Sequence, residues 1–144
     1  MKTVAQLLRA KGHEVLSVSP ETTVFAALQL MAEKDVGALI VLEGGRVVGI
    51  FSERDYARKV SLKGRSAKET PIREIMSPRV LYVRPEHTIE ECMALMTNKR
   101  VRHLPVLEED RLVGVISIGD VVKAIISEQE FVIEQLQHYI TGER

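Results

Sequence analysis

The chain has a single cysteine, no tryptophan and few aromatic residues of any kind, 4% of its 144 positions. A lone Cys92 can form neither an internal disulfide nor a cysteine-based metal cluster, which favours a reducing compartment. So few rings leave little surface for stacking nucleobases. An excess of one charge is missing too. Lys plus Arg number 20 and Asp plus Glu 20, so the global positive field of a nucleic-acid binder is not there. No apolar run approaches the length of a membrane span, and the opening MKTVAQLLRAKG breaks its short apolar stretch with Gln6, Arg9 and Lys11, unlike a secretory signal. His13, His87, His103 and His138 show neither HxxxH nor HExxH spacing, which argues against zinc. These absences predict a cytoplasmic protein with no nucleic-acid, membrane or metal role.

What is present is 45% apolar and 28% charged residues, the balance of a soluble globular domain long enough to bury a core without staples. Its dominant feature is a repeat. VLSVSPETTV (15–24) is answered by VLYVRPEHTI (80–89), and the same offset of 65 carries Leu30-Met31 onto Leu95-Met96, Val41-Leu42-Glu43 onto Val106-Leu107-Glu108, Gly49 onto Gly114 and Asp55 onto Asp120, without a gap. In the first copy, Val15, Leu16 and Val18 form a β-prone run closed by Pro20. Thr22 or Thr23 can cap a helix whose apolar positions Val24, Ala27, Leu28 and Met31 follow helical spacing. Residues 38–42 and Val47 to Phe51 read as a hairpin about Gly44-Gly45, and Ser52 or Glu53 starts a further helix, DYARKV. The second copy repeats the order: strand VLYV, a helix through Ile89, Met93 and Met96, strands LPVL and LVGVI about an EED turn, and a helix from Ser117 through Ile126.

Each copy is therefore β-α-β-β-α. The approach to each is duplicated as well, with Val4, Leu7 and Leu8 answered by Ile72, Ile75 and Met76. The organisation expected is repeat 1 with its lead-in helix over 1–60, a connecting loop over 61–71, repeat 2 over 72–126 and a C-terminal helix over 127–144. Lys59, Lys63, Arg65 and Lys68 read as a solvated basic loop. Cys92 aligns with Ala27 inside a helix, as a small core residue. The final segment carries Ile125, Ile126, Phe131, Ile133, Leu136 and Ile140 at helical spacing, a stripe that a monomer or a partner could bury.

Both copies end on Gly-apolar-apolar-Ser-x-x-Asp, as GIFSERD (49–55) and GVISIGD (114–120). One reading is structural: the glycines relieve crowding at a strand while Ser52, Asp55, Ser117 and Asp120 cap helices or face solvent. The other is chemical: a helix N-terminus and a Ser hydroxyl offer donors to a phosphate, and Asp accepts from vicinal ribose hydroxyls.

The β-α-β-β-α order, the SVSPETT and YVRPEHT openings, the KDVGALIVL and RVRHLPVL strands and the paired endings together resemble the cystathionine β-synthase (CBS) domain family, over nearly the whole chain. The resemblance implies an α/β (α+β) fold in which two CBS repeats pack with pseudo-twofold symmetry into one CBS-pair module, bind adenine nucleotides between the repeats and carry out no catalysis. It places Ile50, Ser52, Arg54, Asp55, Met76, Leu81, Val101, Arg102 and His103 in a first cleft. It places Val115, Ser117, Asp120, Leu16, Val36, Gly37 and Ala38 in a second. The first holds Arg54, Arg102 and His103 near the phosphate position, where the second has Gly119, Gly37 and Ala38, so the clefts are unequal. The implied ligand is AMP first, with ADP, ATP or NAD(H) as alternatives, and the implied assembly is a homodimer signalling to an unidentified protein partner. A constitutive dimeric adaptor with vestigial clefts is the main rival. A redox role for Cys92 and a nucleic-acid role, which salt-dependent binding would reveal, are the others.

Overall fold

The two hairpins share one register, residue for residue. In a computed structural model that describes residues 2–141, and only the backbone over 130–141, β2 (Ala38–Glu43) pairs antiparallel with β3 (Arg46–Ser52), and β4 (His103–Glu108) with β5 (Arg111–Ser117). Ala38 lies opposite Ser52 as His103 lies opposite Ser117, and each ladder slips at the same place, after Val41 and after Val106. Gly44 and Gly45 turn the first hairpin with φ of 58° and 80°, and Glu109 and Asp110 do so in the second with 51° and 65°. Two consecutive positive φ values match the right-handed twist of the flanking strands.

The helices begin where the threonines predict. Thr23 accepts from the Ala26 N–H at the start of α2 (Val24–Lys34), and Thr88 caps α4 (Ile89–Lys99), with Glu91 returning a bond to the Thr88 N–H. α1 (Val4–Lys11) precedes the first copy, and a 3₁₀ turn (Ile72–Glu74) precedes the second. The helix after β3 is α-helical only as α3 (Glu53–Asp55) and widens to π-helical turns over Tyr56–Ser61, whereas α5 (Ile118–Thr141) leaves β5 as a long α-helix. Of the apolar stripe on α5, Phe131, Ile133, Leu136 and Ile140 lie outside the described side chains.

One expected strand is cut short. β1 (Ser17–Val18) pairs parallel with β2, but VLYV in the second copy makes only a single parallel bridge, Val83 to Val106. The cause is Pro105, which stands where the first copy has Ile40. The Ile40 N–H donates to the Leu16 carbonyl at 3.3 Å, a bond proline cannot make, so Leu81 and Tyr82 lose their ladder partner. Bonds on either side survive, from Val83 N–H to the Pro105 carbonyl and from Leu107 N–H to the Val83 carbonyl.

Two hydrophobic cores form, and each takes its lead-in from the other repeat. Val24, Ala27, Met31, Leu39, Val41 and Phe51 close over Ile72 and Ile75, while Ile89, Cys92, Met96, Leu104 and Ile116 close over Val4, Leu7 and Leu8. Backbone bonds fasten the exchange symmetrically. Val4 N–H donates to the His87 carbonyl and Ile89 N–H to Lys2; Ile72 N–H donates to Thr22 and Val24 N–H to Thr70. The duplicated glycines are seats for these lead-ins. A Cβ on Gly49 would stand 2.6 Å from the Met76 sulfur, and one on Gly114 would stand 2.7 Å from a Leu8 methyl.

Candidate functional site

The Ser and Asp of each duplicated ending form a cap on the helix that leaves the strand. Asp55 Oδ2 accepts from the Ser52 N–H at 2.9 Å and the Ser52 hydroxyl at 3.1 Å, and the Asp55 N–H returns to Ser52 Oγ. Asp120 repeats the two backbone bonds with Ser117, its Oδ2 accepting from the Ser117 N–H at 2.8 Å and its N–H donating to Ser117 Oγ at 3.1 Å. The first helical N–H of each helix is also engaged, Glu53 with the Gly37 carbonyl and Ile118 with the Arg102 carbonyl. The structural reading of the motif is therefore present. These bonds also hold the endings beside the strand entrances at Gly37 and Arg102.

Beyond the cap the two aspartates differ. Asp55 is buried, and its Oδ1 accepts from the Ser77 hydroxyl at 3.2 Å and faces Lys59 Nζ at 3.0 Å. Asp120 is held by Lys11 Nζ at 2.6 Å, and the same ammonium donates to the Val115 carbonyl. Partial burial pushes the Asp120 carboxyl up, but the Lys11 contact and the Ser117 bonds outweigh it and leave the group below its ordinary range.

Two clefts open along the junction of the repeats. The larger, about 630 Å³, is lined by Ile50, Ser52, Arg54, Asp55, Leu81, Val101, Arg102 and His103, the first predicted set without Met76. Met76 instead turns over Gly49, on the side of the first core. The smaller, about 490 Å³, is lined by all seven residues of the second set, Leu16, Val36, Gly37, Ala38, Val115, Ser117 and Asp120. His103 and Ile50 border both clefts, whereas the sequence reading gave them to the first alone; Gly37, read into the second, also borders both. Gly37 explains how: a Cβ there would lie 3.8 Å from His103 Nε2 and 3.1 Å from a Glu53 carboxylate oxygen, so the bare backbone brings the two strand entrances together.

Burial, with Lys11 and Arg102 nearby, pushes the His103 imidazole below its usual value, against the pull of Asp120. The fold therefore holds His103 neutral down to lower pH than an exposed histidine.

Sequence reasoning missed several lining residues, some of them inside or next to the stretches it used. Arg58, Lys59, Ser77, Arg79 and Arg100 join the larger cleft, and Lys11, Lys34 and Asp35 the smaller. Arg58 was findable, one turn past Arg54. Lys11, Ser77 and Arg79 belong to or follow the lead-ins, whose exchange between repeats brings them to the clefts. Cys92 is fully buried, and burial, with the Glu91 charge, pushes its thiol up to about 11, an inert packing residue rather than a nucleophile. Among the described residues, no cluster of three His, Cys, Asp or Glu could hold a metal ion, and no helix is long and apolar enough to cross a membrane.

Comparison with known proteins gives the same frame. The CBS-domain family model matches residues 4–62 and 72–127. The CBS domain-containing protein CBSX3, mitochondrial, of Arabidopsis thaliana is 36% identical, with 97% of this chain and 72% of that protein covered. A solved putative signal-transduction protein with CBS domains from Burkholderia ambifaria is 51% identical, with a TM-score of 0.86 over 89% of this chain and 96% of that one. The CBS domain pair of protein MJ0100, solved in complex with 5′-methylthioadenosine and S-adenosyl-L-methionine, shares the fold at 17% identity, with a TM-score of 0.78 over 89% of this chain and 98% of that one. With a family match to each repeat and a shared fold along nearly its whole length, the chain belongs to the CBS-domain family, as a tandem pair of mixed α/β repeats.

Proposed function

We propose that the protein is a non-catalytic sensor that binds an adenine nucleotide between its repeats and passes a change of shape to a protein partner, as a homodimer. The observation that carries this reading is the convergence, on one junction, of both Ser-Asp endings with the strand entrances of the opposite repeat. In the larger cleft Ser52, Asp55 and Arg54 meet Arg102 and His103, a set suited to ribose hydroxyls and phosphate. The adenosyl ligands of MJ0100 lend the ligand class support by analogy of fold. A ligand touching both repeats favours whichever mutual arrangement fits it, which is the physical basis of a signal.

Saturating nucleotide should raise the melting temperature. At free ligand about 100 times its dissociation constant the gain is roughly 2.7 kcal/mol, or about 5 to 10 °C for a chain of this size. Thermal shift with AMP, ADP, ATP, NAD and S-adenosylmethionine on verified apo protein checks it. A specific observation favours the rival adaptor: both aspartates already have protein partners, Lys11 for Asp120 and Ser77 with Lys59 for Asp55. A flat response to all five ligands would decide for the adaptor.

A further inference from the structure

The larger cleft carries more positive charge than an adenosine monophosphate can use. Arg54, Arg58, Lys59, Arg79, Arg100 and Arg102 all line it, against the carboxylates of Glu53 and Asp55. Lys59 is committed to Asp55, but the five arginines make no ion pair within 4 Å among the described residues. They come from three separate stretches: Arg54 and Arg58 from the helix after β3, Arg79 from the loop after the 3₁₀ turn, and Arg100 and Arg102 from the end of α4 and the entrance to β4. Arg100 is held there in the left-handed region, φ 55°, as the C-cap of α4.

The other cleft is the internal control. At the equivalent positions of the other repeat stand Gly119 for Arg54, Lys123 for Arg58, Glu14 for Arg79, Asp35 for Arg100 and Gly37 for Arg102. Neither Gly119 nor Lys123 lines the smaller cleft, whose lysines, Lys11 and Lys34, are offset by Glu14, Asp35 and Asp120. A chain with equal numbers of acidic and basic residues has thus gathered, in one of its two clefts, guanidinium groups that have no ion-pair partner among the described residues. Like charges lining one cleft repel one another less once an anion joins them, and a guanidinium binds phosphate oxygens two at a time.

We infer that the larger cleft is built for a chain of phosphates, that is, a nucleoside triphosphate or diphosphate in preference to AMP, with Arg58, Arg79 and Arg100 holding the phosphates beyond the first. The smaller cleft suits a nucleoside moiety without phosphate. This inference rests on the proposed nucleotide-sensor reading and specifies its ligand.

Titration calorimetry with AMP, ADP and ATP in magnesium-free buffer tests it, with inorganic tripolyphosphate as a competitor. ATP should bind at least about tenfold more tightly than AMP, with ADP between them, and the margin should shrink as salt rises. Arg58→Ala, Arg79→Ala and Arg100→Gly, the last chosen because glycine accepts the left-handed backbone, should each lower ATP affinity roughly three- to tenfold and AMP affinity less than about twofold. Tripolyphosphate should displace ATP from the wild type and less readily from each variant. Equal affinity for the three nucleotides, or variants that weaken AMP and ATP alike, would overturn the phosphate-chain assignment and leave the sensor reading standing. Binding of none of the three would overturn the sensor reading and this inference with it.

Discussion

Asp55 and Asp120 hold the same position in two copies of one motif, yet they sit in different electrostatic company. Asp120 leans on a single ammonium, Lys11, brought across by α1, and close by stands His103, whose imidazole burial and the same Lys11 push down. The two groups act on stability in separate pH windows. For His103 the folded value lies below the ordinary 6.5, so the unfolded chain takes up a proton first, and stability falls as pH drops below about 6.5. For Asp120 the folded value lies below the ordinary 3.8, so its contribution is present above that pH and is lost as pH falls through the folded value. Urea midpoints measured from pH 8 to pH 3 should therefore decline in two stages. His103→Gln should flatten the upper stage, and Asp120→Asn should lower the midpoint at pH 7 and flatten the lower one. An upper stage unchanged by His103→Gln would mean that another group titrates there.

At the scale of elements, the glycine of each motif records a packing contact rather than a turn. Leu8 is almost wholly buried and sets both methyls of its branched end, at 2.7 and 2.9 Å, against the Cβ position at Gly114, so it has little room to withdraw. Met76 is partly buried and unbranched, although the Ser77 carbonyl also stands 3.1 Å from the Cβ position at Gly49. Gly114→Ala should therefore cost about 1 to 3 kcal/mol by overpacking, more than Gly49→Ala. Leu8→Ala should relieve it, so that chemical denaturation of the double variant shows less than the sum of the single losses. Strands, caps and hairpin register were legible in the sequence because each depends on neighbours a few residues away: Thr23, Thr88 and the Gly44-Gly45 pair announce their geometry locally. The strand at VLYV misled because its fate depends on Pro105, more than twenty positions on, where a missing N–H removes the ladder bond. The duplicated lead-ins were visible as a pattern, but a pattern does not say which core receives them. For the same reason Lys11, Arg79 and the placing of His103 between both clefts escaped the reading, while most of the motif-derived cleft residues did not.

For the whole molecule, that exchange of lead-ins should make the two repeats one cooperative unit. Repeat 1 completes its core with Ile72 and Ile75, which follow it in the chain, and repeat 2 completes its core with Val4, Leu7 and Leu8, which precede the other repeat. Burying one such side chain contributes about 1.5 to 3 kcal/mol, so removing two or three from a core costs a sum comparable to the entire stability of a domain, about 5 to 15 kcal/mol. Neither repeat should then fold alone, and the clefts, which need both, should exist only in the intact module. Cutting the chain in the connection tests this, since Gly64 and Arg65 lie on an exposed turn. Fragments 1–64 and 65–144 prepared separately should each show little helical circular dichroism and no sharp thermal transition. Mixed in equal amounts, they should recover the helical signal, with a midpoint that rises with concentration because association and folding are then one event. If either fragment melts cooperatively by itself, the exchanged side chains are accessories and the repeats are independent domains. If both are unfolded and mixing restores structure, the exchange is what couples them, and a ligand seated between them acts on a single folding unit.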